Sequence, residues 1–273
     1  MNKFLSVFSL ISRIPVPFKF TFDVSRMDFY LPLVGFIVAL IQIAVYEIFY
    51  FLTASSILAV VFVILVQYLC FNLFHLDGLA DTADAFLGTV DKEKTFAILK
   101  DSRVGTYGLF AGIMILMLKI ALLYNLMKNG NSRTIFVWVY PIAGRLAASL
   151  LPAIALPAKE SGLGALAKQS RLWRACAGCI TASLLYLFVV SAFFWIKATI
   201  SIYEYSLPCR TLLASSGIAL LLSFAAAFLS ASFYAVTHTK RIGGYTGDAL
   251  GAAIETGEAL FLLMLVVLSA LCT

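Results

Sequence analysis

A chain of 273 residues that is 62% hydrophobic and only 12% charged, with a mean hydropathy of +0.98, is excluded from the soluble globular class, where roughly a quarter of residues are charged. Its net charge of +6 is spread over loops with no basic patch or reader motif, which excludes nucleic acid as a partner. What remains is an all-α polytopic integral membrane protein, read as one catalytic domain over residues 1–273 whose first partner is the lipid bilayer.

Met1 to Ile11 carries one lysine and a short apolar run. Arg13-Ile14-Pro15-Val16-Pro17 follows in place of a small-residue cleavage site, so the segment reads as a retained stretch at the membrane interface, ended by its prolines. Seven apolar runs come next, each near the roughly 20 residues that a bilayer crossing needs. They are Leu31–Leu52, Ser56–Phe74, Gly105–Met127, Thr134–Leu156, Ala175–Ile196, Leu212–Val236 and Ala249–Leu271. Only Thr53-Ala54-Ser55 separates the first two, which predicts a tight helical hairpin.

Loop charges orient the bundle. Fourteen basic residues fall on one side: Lys3, Arg13, Lys19 and Arg26; Lys92, Lys94, Lys100 and Arg103; Lys159, Lys168, Arg171 and Arg174; Lys240 and Arg241. The other side has four, Lys128, Arg133, Lys197 and Arg210. The positive-inside rule then predicts a cytoplasmic N-terminus and an outer C-terminus, consistent with an odd number of spans. Cys176-x-x-Cys179 has no second pair or nearby histidine, so these two, with Cys70 and Cys272, read as small hydrophobes, while Cys209 stands alone in a loop.

Three stretches carry chemistry, all on the predicted cytoplasmic face. The first, His75 to Asp84, places Asp77, Asp81 and Asp84 at i, i+4 and i+7, on one stripe of a helix. Three carboxylates so aligned repel one another unless a cation sits between them, and a hard oxygen-seeking ion such as Mg²⁺ suits them. Ionisable residues at a membrane boundary also point to function. His75 lies on the opposite side of that helix, either catalytic or a buried hydrogen-bonded histidine. The second stretch, Lys100 to Gly108, offers Lys100 as a point charge and Arg103 as a bidentate phosphate grip. Asp101 is either a further ligand or the partner of Arg103.

The third, Lys240 to Asp248, has Gly243, Gly244 and Gly247 after two cations and before a helix start, a pattern suited to a nest of N–H groups for phosphate. On the helix that follows, Asp248, Glu255 and Glu258 share a face within about 80°. Glu255 and Glu258 sit too deep in an apolar span to be free; the alternative to a catalytic role is pairing with the embedded Lys119 and Arg145. Gly247-x-x-x-Gly251 would let another helix approach closely. Together these features describe a membrane-embedded, Mg²⁺-dependent enzyme acting on a phosphate diester or anhydride.

His75-Leu76-Asp77-Gly78-Leu79-Ala80-Asp81-Thr82-Ala83-Asp84, Lys100-Asp101-Ser102-Arg103-Val104-Gly105-Thr106 and Gly243 to Glu255 closely resemble the cobalamin synthase family. Arg13 to Pro17 and Gly162-Leu163-Gly164 add a weaker likeness, and Ala85 departs from a frequent glycine. The resemblance implies adenosylcobinamide-GDP ribazoletransferase activity. The 3′-hydroxyl of α-ribazole, or of its 5′-phosphate, attacks the cobinamide-side phosphorus of adenosylcobinamide-GDP; GMP leaves and adenosylcobalamin or its 5′-phosphate forms. It also implies Mg²⁺, a multi-pass place in the bacterial inner membrane and an active site facing the cytoplasm. On that reading Asp77, Asp81, Asp84 and Asp248 are metal ligands, and Lys100, Arg103 and the Gly243, Gly244 and Gly247 turn hold phosphate. One of Asp81, Asp84 and His75 takes the hydroxyl proton.

Two other classes compete. A CDP-alcohol phosphotransferase does related chemistry with membrane aspartates, but its arginine after the second aspartate pair is absent from Asp84-Ala85-Phe86. An ion-coupled transporter would use Glu255, Glu258 and Arg145 as a path, yet the acids gather at one face and no pair of broken helices marks a midplane site.

Overall fold

The computed structural model describes residues 2–89, 91–101, 103–128, 132–200 and 209–271, excepting the side chains of 132–135, 194–200 and 209–213. Cys272 and the side chains of Arg133, Lys197, Cys209 and Arg210 therefore lie outside the described residues.

The elements in order are α1 (Asn2–Ile11), α2 (Met27–Thr53), α3 (Ser56–Gln67), a π-helical turn (Tyr68–Asn72), α4 (Leu73–Gly88), α5 (Lys92–Ile98), α6 (Thr106–Lys128), a 3₁₀ segment (Ser132–Val139), α7 (Tyr140–Ile154), α8 (Leu163–Leu166), a 3₁₀ turn (Ala167–Gln169), α9 (Leu172–Ile200), α10 (Cys209–Ile242) and α11 (Gly247–Leu271). Among the described residues, seven helices are long and apolar enough to cross a membrane, as the hydropathy pattern predicts.

The α2–α3 hairpin forms as expected. Ala54 takes a left-handed conformation (φ 50°), its N–H donates to Tyr50 O at 2.8 Å, and α3 starts two residues later. Cys209, assigned to a loop above, opens α10 instead.

Two spans differ from the expectation in ways that matter for the site. The second does not stop at Phe74: helix runs from Ser56 to Gly88, so the aspartates ride on an extension of the span itself. The fourth enters as a 3₁₀ segment and becomes α-helical at Tyr140, with Pro141 in its first turn, where a missing N–H costs nothing. From there α7 is buried almost throughout and forms the axis on which α2, α9, α10 and α11 pack.

Glycines set the closest approaches. A Cβ on Gly35 would stand 2.6 Å from Pro141 O, and one on Gly144 would stand 2.7 Å from Ile254 O, so α2 and α11 meet α7 backbone to backbone. With no hydrophobic drive between helices in lipid, such contact is what holds them together. α1 packs on the start of α2, and Arg13 N–H donates to Cys70 O at 2.7 Å, which ties it beside the π-helical turn.

Candidate functional site

The starts of α6 and α11 and the end of α4 gather at one end of the bundle. A Cβ on Gly78 would lie 2.7 Å from Asp248 O, and one on Gly251 would lie 3.0 Å from His75 Cα. The predicted close approach at Gly251 is thus made by α4, and it brings acids from distant parts of the chain together. Asp81 feels the charges of Asp77, Asp248 and Asp84, and Asp248 those of Asp77 and Lys159. Asp77 is exposed, while Asp81 and Asp248 are half-buried.

Asp84 is turned to a separate task. Its two carboxylate oxygens accept the N–H groups of Gly105 (2.7 Å) and Gly108 (2.8 Å) at the start of α6. A carboxylate there satisfies orphan donors and meets the positive end of the helix dipole. Among the described residues, no group of three acidic, histidine or cysteine side chains is arranged to hold a metal ion by itself. The donor set nevertheless fits a hard cation: oxygen only, mutually repulsive, and open on the Asp77 side.

His75 is 1% exposed, and neither ring nitrogen has a hydrogen-bond partner among the described residues. Of the two readings from sequence, burial holds, but without the expected hydrogen bond.

Arg103 bonds Asp101 through Nε (3.0 and 3.1 Å) and Nη2 (2.6 Å). The pair is solvent-exposed, Arg103 at 87%, and the guanidinium holds the Asp101 carboxyl down at about 2. Lys100 is exposed beside it.

In the turn before α11, Gly243 has φ 90°, the left-handed region that favours glycine. Gly244 presses on the backbone of residues 156–158, and a Cβ on Gly247 would meet Leu163 at 3.2 Å. Gly243 N–H donates to Thr239 O (3.1 Å) and Tyr245 N–H to Leu156 O (2.9 Å), so two donors of the expected nest are already engaged. The Tyr245 hydroxyl donates to Gly164 O at 2.8 Å, and burial pushes it up to about 12.

Two to three turns into the bundle, Glu255 and Glu258 take the partners that sequence offered as the alternative. Lys119 Nζ lies 2.5 Å from Glu255 and 2.7 Å from Glu258, and Arg145 Nη1 lies 2.5 Å from Glu258, all fully buried. Asn72 donates to Glu255 (2.8 Å) and accepts from Arg145 Nη2 (2.8 Å); the Tyr68 hydroxyl donates to Glu255. Gln67 donates to Glu258 (2.9 Å) and accepts from Gln42 (2.8 Å) and from the Tyr140 hydroxyl (2.5 Å). Sequence reasoning passed over Gln42, Gln67, Tyr68 and Asn72, although polar residues inside apolar runs are a recognisable signal. The π-helical turn contributes by presenting Tyr68 and Asn72 to the same cluster as Gln67, the last residue of α3.

The chain matches the cobalamin-5-phosphate synthase family over residues 3–266. It belongs to that family. Among curated relatives, the adenosylcobinamide-GDP ribazoletransferase of Clostridioides difficile is 30% identical over 98% of both chains. Those of Clostridium botulinum (strain Kyoto / Type A2) and Shewanella amazonensis are 32% and 31% identical, over 98% of this chain and 98% and 96% of theirs. No solved structure matches. The family assignment agrees with the motifs on α4, before α6 and before α11, which this fold brings to one end of the bundle.

Proposed function

We propose that this cobalamin-5-phosphate synthase family member is an adenosylcobinamide-GDP ribazoletransferase, joining α-ribazole or its 5′-phosphate to the cobinamide phosphate and releasing GMP in a late step of cobalamin biosynthesis. The observation that carries the reading is the meeting of Asp77 and Asp81 with Asp248 across the Gly78 contact, in a chain that aligns end to end with enzymes of that name.

Asp77, Asp81 and Asp248 would hold Mg²⁺, with substrate oxygens completing the shell, as is usual for this ion. When bound, the cation offsets diphosphate charge and polarises the phosphorus under attack. Asp84 holds the start of α6 in place. Lys100, Arg103 and the glycine turn receive phosphate, Arg103 by exchanging Asp101 for it. Asp81 takes the proton of the attacking hydroxyl: Asp84 already accepts two N–H groups, and His75 is shut away from the acids' open side. The transporter reading loses its path, because Glu255 and Glu258 are neutralised by Lys119 and Arg145.

The acidic end faces the cytoplasm of the bacterial inner membrane, since the basic loops lie at that end. The deciding experiment supplies purified protein with adenosylcobinamide-GDP and α-ribazole. GMP release that requires both the acceptor and Mg²⁺ is expected; no release, or release indifferent to Mg²⁺, overturns the reading or its metal respectively.

A further inference from the structure

The cations assigned to phosphate from sequence, Lys100 and Arg103, stand on the exposed loop before α6, and Arg103 is occupied by Asp101. A different cation is felt by Asp248. Residues 156–158 pair with the turn before α11: Tyr245 N–H donates to Leu156 O (2.9 Å) and Ala158 N–H to Tyr245 O (2.8 Å). Gly244 makes room for this pairing, since a Cβ there would lie 2.8 Å from Ala158 N. Lys159 is the next residue, so its backbone is fixed relative to Asp248 three residues beyond Tyr245. Its Nζ stands 4.9 Å from the centre of the Phe96 ring on α5, an arrangement that holds an ammonium by the ring's negative face without neutralising it.

Lys159 forms no salt bridge among the described residues, and its charge reaches Asp248. Lys92, at the start of α5, brings a second ammonium to 4.0 Å from where a Cβ of Gly243 would be.

We infer that Lys159, carried on the loop after α7, binds a phosphate of the nucleoside diphosphate substrate beside Asp248, with Lys92 as a weaker second contact. The inference rests on the ribazoletransferase reading for the identity of the substrate, but the anion site itself does not. A phosphate beside Asp248 that reached Lys159 would exchange a cation–π contact for a charge-assisted hydrogen bond, the stronger of the two.

Two measurements on the full-length protein test it. In the GMP-release assay, Lys159→Met is expected to raise the KM for adenosylcobinamide-GDP about tenfold or more, as for loss of a charged hydrogen bond. The KM for α-ribazole should stay within about twofold, and Lys159→Arg should recover most of the loss; Arg103→Ala should cost less than Lys159→Met. In calorimetric titration with GDP alone in the presence of Mg²⁺, Lys159→Met is expected to weaken binding by a similar factor.

Unchanged GDP affinity and unchanged KM in Lys159→Met would overturn the inference, as would equal losses for both substrates. Wild-type protein that binds GDP through Lys159 yet releases no GMP would leave the anion site standing and remove the reaction. Thermal unfolding of Lys159→Met at the wild-type temperature excludes misfolding as the cause of a loss; for a variant that unfolds early, unchanged GDP affinity in Lys159→Gln at wild-type stability overturns the inference.

Discussion

Helix α11 carries two kinds of acid with opposite surroundings. Asp248, in its first turn, feels the charge of Asp77 across α4 and is felt by Asp81, and among the described residues Lys159 is the cation whose charge reaches it. Glu255 and Glu258, two to three turns on, are fully buried, and every carboxylate oxygen has a donor, two of them cationic side chains. Inside the bundle an uncompensated charge would be costly, so cations are built in, one for each acid. At the end of the bundle the acids remain underneutralised, and that deficit is what a divalent cation and a diphosphate can share. On the proposed reading, the same side-chain chemistry serves cohesion in one place and recognition in the other, according to whether the chain itself supplies the positive charge.

The comparison breaks if the outer acids prove dispensable. Asp81→Asn is expected to lose turnover by at least about a hundred- to a thousandfold, a loss typical of removing a charge that acts in the transition state, with thermal stability unchanged or raised by relief of repulsion. GMP release and a melting curve in detergent check both halves, and near-normal activity would end the metal assignment.

The inner acids should behave in reverse. Glu258→Gln leaves Arg145 without its carboxylate and Lys119 with Glu255 alone, and is expected to cost about 3–5 kcal/mol of stability. Pairing it with Lys119→Met should recover part of that loss in a double-mutant cycle. A Glu258→Gln protein as stable as wild type would show that the buried cluster is not cohesive.

Asp84 stands between the two regimes. Asp84→Ala should cost about 1–2 kcal/mol through its lost hold on the start of α6, and faster amide exchange at Gly105 and Gly108 reports it directly. The smallest effect is expected at the exposed Asp101–Arg103 pair. Its contribution is complete above the ordinary carboxylate value of 3.8 and lost only as pH falls through about 2. Activity lost between pH 4 and 6 should therefore be the same in Asp101→Asn as in wild type.

Much of this was legible in the sequence because lipid imposes simple rules. Spans follow from apolar length, the hairpin from three intervening residues, and the partners of Glu255 and Glu258 from there being only two embedded cations, Lys119 and Arg145. The aspartate stripe was legible as a cluster of acids, since Asp77 and Asp81 share a helical face. Asp84 was misread as a free member of the stripe because its partners, Gly105 and Gly108, are backbone donors 21 and 24 positions away, and no side-chain pattern announces them. The continuation of the second span past Phe74 was hidden for a related reason: charge marks the edge of the hydrocarbon, not the end of a helix. The glycines before α11 were read as a phosphate nest, whereas Gly244 and Gly247 are also required for packing against residues 156–164.

Where Gly78 lies on Asp248 and Gly251 on His75, nothing but main chain separates α4 from α11. The separation of the two backbones that carry the carboxylates is therefore fixed by main-chain contact, with no side chain between them to flex. An added methyl at either glycine would act as a wedge at the jaw of the site. On the proposed reading, the space left to a cation between the two helices is accordingly written in two hydrogen atoms where other residues carry carbon.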